Sequence, residues 1–171
     1  MNEFRKDLRF SHESEDNPIW KTIYSIAFPG FLSMASQRKN GEMQHLGVDR
    51  TVVIESGKAV YIDEKVRRED YGDILLEYMS SDRSGSLGWC EKTLFCDYIA
   101  YAVLPSEKCY ILPVPQMQYA WRKNKQKWLN KYGTKKAENP GYNTLNCPIP
   151  IKELFENIGK MFRVDYSMAS L

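Results

Sequence analysis

Histidine is scarce in this sequence, and its cysteines do not occur in pairs. The chain has two histidines, His12 and His45, and four cysteines, none of which forms a C-x-x-C motif or has a histidine at zinc-ligand spacing. No Ser/His/Asp or Cys/His arrangement stands out, which argues against a catalytic triad. We predict that the cysteines are small, partly buried hydrophobic residues in a reducing compartment, with a structural zinc site as the alternative.

A long apolar run and a large excess of charge of one sign are also absent. No stretch approaches the roughly 18 uninterrupted apolar residues of a membrane span, so no membrane association is expected. The first 16 residues are rich in acids and lack the apolar region of a signal peptide, which predicts a cytoplasmic protein or one that acts inside a host cell. The net charge is only +2, so local charge clusters would have to hold any anionic partner.

What is present is the composition of an ordinary globular chain. Hydrophobic residues make up 43% of the 171 residues and charged residues 27%, which suits one domain over residues 17–171 after a flexible arm at residues 1–16. Hydrophobic periodicity and turn residues predict helices and strands in alternation. The predicted helices are residues 18–28, 89–96, 115–132 and 151–162, and the predicted strands are residues 48–54, 59–67, 74–79, 98–104 and 109–112. The sequence of residues 31–45 predicts a weak strand or an irregular segment. A loop is predicted around residues 139–141. This order indicates an α/β fold with a central mixed β-sheet flanked by helices.

The clearest local feature is a hairpin that carries Asp49, Asp63 and Lys65. Residues 48–54 are rich in β-branched side chains, residues 55–58 supply a turn with glycine, and residues 59–67 form the returning strand. Because side chains alternate along a strand, Asp63 and Lys65 share one face while Glu64 lies on the other, largely apolar face. Asp49 and Asp63 stand at nearly equal depth from the turn, so we predict that they are cross-strand neighbours.

Two adjacent carboxylates repel each other, and a divalent cation relieves that repulsion. Mg²⁺ prefers oxygen ligands and commonly takes one or two carboxylates together with water and phosphate oxygens. Such a cation lowers the pKa of bound water and neutralises charge on a phosphate. A neighbouring ammonium group such as that of Lys65 can orient the water or stabilise the developing charge. This combination of residues therefore predicts phosphodiester hydrolysis.

The same residues carry a resemblance to a known family. Asp49, followed on the returning strand by Asp63-Glu64-Lys65, resembles the motif of the PD-(D/E)XK nuclease superfamily, including its bacterial and phage members. The resemblance covers at most residues 17–113. It implies a restriction-endonuclease-like core, with Asp49, Asp63 and Lys65 as catalytic residues. It also implies that Asp49, Asp63 and the main-chain carbonyl of Glu64 hold Mg²⁺ or Mn²⁺, that the substrate is DNA, and that the protein forms a homodimer if it cuts both strands.

The chain departs from the family pattern in three places. Val48 stands where the family motif has proline. The predicted first helix, residues 18–28, contains no acid, so Glu13, Glu15 or Asp16 would have to supply the carboxylate that family members often carry there. A third strand follows the motif directly, where many members have a helix.

A basic run on the longest predicted helix is the second candidate region. Residues 122–136 contain no acid, and we predict that Arg122, Lys123, Lys125 and Lys127 bind phosphates, with a solvated face as the alternative. Tryptophans and a tyrosine at helical spacing form a predicted core stripe beneath these charges. The leading hypothesis is a Mg²⁺-dependent DNA nuclease. The alternatives are a non-catalytic nucleic-acid-binding module and a protein-interaction domain.

Overall fold

The computed structural model describes residues 18–159 and 162–167, which form two compact units. The first unit comprises residues 18–70, 95–112 and 162–167, and the second comprises residues 71–94 and 113–159. Helices and strands occur in both units, which confirms the predicted α/β class. The predicted arm at residues 1–16, with Glu13, Glu15 and Asp16, lies outside the described residues.

The described residues contain four α-helices and ten strands. In chain order they are α1 (Ile19–Ala27), β1 (Phe31–Ser36), α2 (Gly41–His45), β2 (Arg50–Ile54), β3 (Ala59–Arg67), β4 (Asp73–Ser81), β5 (Ser86–Leu87), β6 (Tyr98–Val103), β7 (Lys108–Pro113), α3 (Val114–Tyr132), β8 (Lys135–Asn139), β9 (Tyr142–Pro150), α4 (Ile151–Ile158) and β10 (Phe162–Asp165). A short 3-10 turn, Leu104–Ser106, joins β6 to β7. Within these ranges, no helix has both the length and the apolar character needed to cross a membrane.

The first unit is built on a six-stranded mixed sheet with the strand order β1-β2-β3-β6-β7-β10. Strand β3 runs parallel to β6, whereas β2 is antiparallel to both β1 and β3, and β7 is antiparallel to β10. Helix α1 buries Trp20, Ile23 and Tyr24 in a hydrophobic core with Val52 and Ile62 of the sheet. The buried residues recur at the three- and four-residue spacing of one helix face. The predicted mixed sheet, its central hairpin and its first helix are therefore confirmed.

The second unit contains a four-stranded antiparallel sheet in the order β5-β4-β9-β8. Its central pair, β4 and β9, aligns Ile74 with Ile149, and both side chains are fully buried. Trp121 and Trp128 of α3 are fully buried as well, which confirms the predicted core stripe of this helix. Gly133 caps the helix at its C-terminal end with a φ of 72°.

The helix predicted over residues 89–96 is wrong, because this segment consists of turns and irregular chain. In its first part, backbone groups pair with residues of the second unit. The amide of Cys90 donates to the carbonyl of Glu77, and the side chain of Gln118 donates to the carbonyls of Trp89 and Lys92. Gly88 approaches β4 so closely that a Cβ there would lie 2.2 Å from the carbonyl oxygen of Glu77.

Three further boundaries differ from the predictions. Residues 31–45 contain the strand β1 and the short helix α2. The region after α3 is a β8–β9 hairpin, which the sequence conceals because β8 is almost entirely exposed and polar. Helix α4 ends at Ile158 because Gly159 adopts a left-handed φ of 73°, so Phe162 belongs to β10 and not to the helix.

Candidate active site

Asp49, Asp63 and Lys65 lie together at one end of the β2–β3 hairpin. Arg50 pairs with Ile62 in the antiparallel register, so Asp49 comes opposite Asp63 just beyond the end of β2. Nζ of Lys65 lies 2.6 Å from Oδ1 of Asp63. The register and the burial of both side chains place the two carboxyl groups close together, and each group shifts the pKa of the other. The structure thus brings all three predicted catalytic residues together, and their catalytic role stays a prediction.

These three side chains differ in their access to solvent. The side chain of Asp63 is 7% exposed and that of Lys65 is 33% exposed. The side chain of Asp49 is 12% exposed. The carboxylates are therefore shielded from solvent, whereas about a third of the Lys65 side chain is exposed.

Burial and mutual repulsion separate the pKa values of the two carboxyl groups. Burial raises the pKa of Asp63 from its ordinary 3.8 to about 6; Lys65 opposes this rise and the charge of Asp49 adds to it. Burial also favours a higher pKa for Asp49. Lys65, the hydrogen bond from Asp63 and the guanidinium of Arg38 outweigh that effect, so the pKa of Asp49 is lowered. The pKa of Asp63 is therefore raised while that of Asp49 is lowered, and the two groups titrate as a pair.

This pKa shift predicts how stability depends on pH. Because the folded state raises the pKa of Asp63 from 3.8 to about 6, it binds this proton more tightly than the unfolded chain does. The stabilisation is fully present below pH 3.8 and is lost as the pH rises through about 6. We expect the melting temperature of metal-free protein to fall across this window, and the fall to be weaker in Asp63→Asn. Thermal unfolding in buffers of graded pH with a chelator measures both, and identical curves would contradict the raised pKa of Asp63.

Asp49 is held by groups from the segment that precedes it and from β3. The backbone amide of Glu64 donates to Oδ2 of Asp49 at 2.9 Å, and Nε2 of Gln44 donates to Oδ1 at 3.0 Å. Nη2 of Arg38 lies 3.5 Å from Oδ2 of Asp49. These contacts fix the orientation of the Asp49 carboxylate relative to Asp63.

Sequence reasoning missed Arg38 and Gln44 because both lie in the segment that had no clear periodicity. The one available signal was Asn40, whose side chain caps α2 by accepting a hydrogen bond from the amide of Met43 at 3.3 Å. That cap starts the short helix from which Gln44 reaches Asp49. His45 on the same helix is exposed.

Glu64 points to the opposite face of β3, where its carboxylate is completely buried. It accepts hydrogen bonds from the hydroxyl of Tyr24 at 2.7 Å and from Nε of Arg50 at 2.9 Å. Arg38 connects the two faces, since its Nη2 lies 3.4 Å from Oε2 of Glu64 and also contacts Asp49. The side chain of Glu64 is thus part of a buried ionic network, and only its main-chain carbonyl is left for the ligand role that the family resemblance implies.

The basic helix α3 belongs to the second unit, whereas the candidate carboxylates belong to the first. Arg122 and Lys123 are exposed. Lys125 pairs with Glu91 at 2.5 Å, and Lys127 lies 3.8 Å from Glu153. Half of the predicted phosphate-binding charge is therefore already compensated. The sequence could not reveal this, because the two acids come from residues outside the run.

The donor set fits Mg²⁺ better than a metal that needs a full protein cage. Across residues 18–159 and 162–167, no three Asp, Glu, His or Cys side chains are grouped to hold a metal ion. Asp49 and Asp63 supply two buried carboxyl groups; burial is the largest cause of the raised pKa of Asp63, and the charge of Asp49 adds to it. Two carboxylates and a carbonyl match the way Mg²⁺ binds, with the remaining positions taken by water and substrate oxygens.

Comparison with known proteins yields no relative. No protein-family model, no curated protein and no solved structure matches this chain. The case for a function therefore rests on the geometry of the chain's own residues.

Proposed function

We propose that this protein is a Mg²⁺-dependent nuclease that hydrolyses DNA phosphodiester bonds, with a restriction-endonuclease-like core. The observation that carries the proposal is the placement of two buried carboxylates, Asp49 and Asp63, opposite each other on the hairpin, with the ammonium of the partly exposed Lys65 against Asp63. A purely structural ion pair would not need a second carboxylate in contact with the first, since that contact costs repulsion.

Each residue has a distinct task in this proposal. Asp49 and Asp63, with the carbonyl of Glu64, would hold Mg²⁺ or Mn²⁺, which supplies charge neutralisation at the phosphate and a more acidic water. Asp63 must lose its proton for this binding, so metal affinity should rise with pH through about 6. Lys65 stands where it can donate a hydrogen bond to the attacking water or to a phosphate oxygen. Gln44 and the amide of Glu64 keep Asp49 in position.

The decisive test combines cleavage with metal binding. Wild-type protein is incubated with supercoiled, linear and branched DNA in Mg²⁺ or Mn²⁺, and titration calorimetry measures cation binding separately. We expect cleavage of at least one substrate, cation binding by the wild type, and weakened binding by Asp63→Asn. If the wild type cuts none of these substrates and binds neither cation, the enzyme proposal is wrong.

A non-catalytic nucleic-acid-binding module is the second candidate. The exposed Arg122 and Lys123 of α3 favour it, because phosphate contacts by surface cations do not depend on a carboxylate site. This candidate predicts DNA binding that continues unchanged when Asp63 is replaced by asparagine and divalent cations are removed.

The basic helix gives its own prediction about salt dependence. Replacing Arg122 and Lys123 together with glutamine should weaken DNA binding and reduce the slope of log K against log salt by roughly 0.9 per lost phosphate contact. The matched pair, Lys125→Gln with Lys127→Gln, should change the slope less, because Glu91 and Glu153 already compensate those charges. Binding measured over a salt series tests this. Equal slopes in all three proteins would identify the run as a solubility face.

A further inference from the structure

Two solvent-exposed aromatic rings, Tyr61 and Phe95, lie beside the carboxylate pair in the first unit. Tyr61 precedes Asp63 by two residues on β3, so both side chains are on the same face of the strand, roughly 7 Å apart along it. The residue is 36% exposed, and Phe95 is 61% exposed. Among the described residues, neither ring is stacked against another aromatic ring.

Backbone contacts fix Phe95 next to the same site. Its amide donates to the carbonyl of Leu46 at 3.0 Å, three residues before Asp49. The following residue, Cys96, is buried, whereas the side chain of Phe95 is largely exposed to solvent.

The segment that carries Phe95 is also tied directly to Tyr61. The amide of Asp97 donates to the carbonyl of Tyr61 at 2.7 Å, and the amide of Tyr61 donates to Oδ2 of Asp97 at 2.8 Å. Both rings are therefore carried by backbone that is held in place around Asp63. A rigid placement of this kind lets a ring bind a ligand without first being ordered.

Single exposed apolar side chains are common on protein surfaces and need no explanation by themselves. The other exposed hydrophobic residues of the first unit have different surroundings. Ile26 lies on α1, Leu32 lies on the edge strand β1, and Phe162 packs against the rings of Phe28 and Tyr98. Tyr61 and Phe95, in contrast, both lie near the candidate site. Two exposed rings in this position suit a ligand with flat apolar faces.

We propose that Phe95 and Tyr61 stack on unpaired bases of a DNA strand whose phosphate is held near Lys65 and the carboxylate pair, so that the substrate is single-stranded or locally unpaired DNA. This inference rests on the proposed nuclease function. Every base offers a π-face, so stacking on aromatic side chains tolerates any sequence. The bases of an intact duplex are already stacked on one another, and their faces are closed to these rings.

The test measures binding and stacking without cleavage. In the full chain carrying Asp63→Asn, a short oligonucleotide with one 2-aminopurine is titrated in Mg²⁺, both single-stranded and as a duplex. We expect tighter binding and fluorescence quenching for the single strand. Phe95→Leu and Tyr61→Leu, which keep an apolar side chain but remove the ring, should each weaken single-strand binding about 5- to 100-fold. Phe95→Tyr and Tyr61→Phe should restore it, and Leu32→Ala is the control for an exposed hydrophobic residue elsewhere in the unit.

The outcomes separate this inference from the nuclease proposal. Equal affinity for single strand and duplex, no binding of either, or single-strand binding that survives both leucine variants overturns the inference. If wild-type protein still cuts DNA in Mg²⁺ in that case, the nuclease proposal stands alone. Single-strand binding that depends on the rings, without any cleavage by the wild type, supports the stacking surface and overturns the nuclease. Melting curves of every variant confirm that the comparison is made between folded proteins.

Discussion

Asp63→Asn is expected to abolish Mg²⁺-dependent DNA cleavage while the protein melts at or above the wild-type temperature. The substitution removes a charge that is 7% exposed and that faces the carboxylate of Asp49. Asparagine has nearly the same shape, so no cavity forms. The lost ion pair with the partly exposed Lys65 contributes little, whereas relief from repulsion is favourable. Cleavage should fall by about 100-fold or more, since the changed group would act directly on the reacting phosphate.

The companion variant Lys65→Ala should be equally inactive and equally well folded. Lys58→Ala is its matched control, since Lys58 is an exposed lysine at the turn of the same hairpin and should leave cleavage unchanged. Cleavage assays and thermal melts on all four proteins are needed together. A strongly destabilised Asp63→Asn that still cuts DNA would show that the Asp63–Lys65 contact is a structural ion pair.

Glu64→Ala changes the next residue along the same strand. Unlike Asp63→Asn, it should destabilise the fold, by about 3–5 kcal/mol. The side chain of Glu64 is fully buried and accepts hydrogen bonds from Tyr24 and Arg50. Its removal leaves the guanidinium of Arg50, itself 6% exposed, without the charge that compensates it. Removing one partner of a buried ion pair is costly because the other charge stays in a medium of low polarity.

Chemical denaturation measures this loss, and a double variant tests its cause. Arg50→Met combined with Glu64→Leu removes both charges and should be much less destabilised than the sum of the single variants. Glu42→Ala, at an exposed position of α2, is the control for loss of a glutamate and should change stability little. A loss below about 1 kcal/mol in Glu64→Ala would mean that water reaches the network and that its burial has been overestimated.

The hairpin and its carboxylates could be predicted because their signals are local. A β-branched run, a turn with Gly57 at a φ of 76° and strict alternation on β3 place Asp63 and Glu64 on opposite faces without any knowledge of the rest of the chain. The register that sets Asp49 opposite Asp63 follows from the turn position alone. Local pattern was therefore enough to find the centre of the candidate site.

The surroundings of the site could not be predicted, because they depend on contacts between distant residues. Arg38 contacts Asp49 and Glu64 only because the fold of β1 and α2 brings it close to both residues. Glu91 lies 34 residues from Lys125, with which it pairs, and no spacing rule links them. The exposed strand β8 exists because β9 lies beside it, and its own residues carry no strand signal.

The opposite orientations of Asp63 and Glu64 have a consequence for how the chain selects its fold. A slip of β3 by one residue against β2 would turn all its side chains to the other face. The carboxylate of Glu64 would then leave Tyr24 and Arg50, and the hydrogen bonds that it accepts from these two residues would be lost. The ionic network around Glu64, on the buried face of the sheet, thus stabilises the observed register of β3 against β2. In this way Tyr24, Arg50 and Glu64, which are not part of the proposed catalytic site, determine which carboxylate of β3 lies beside Asp49.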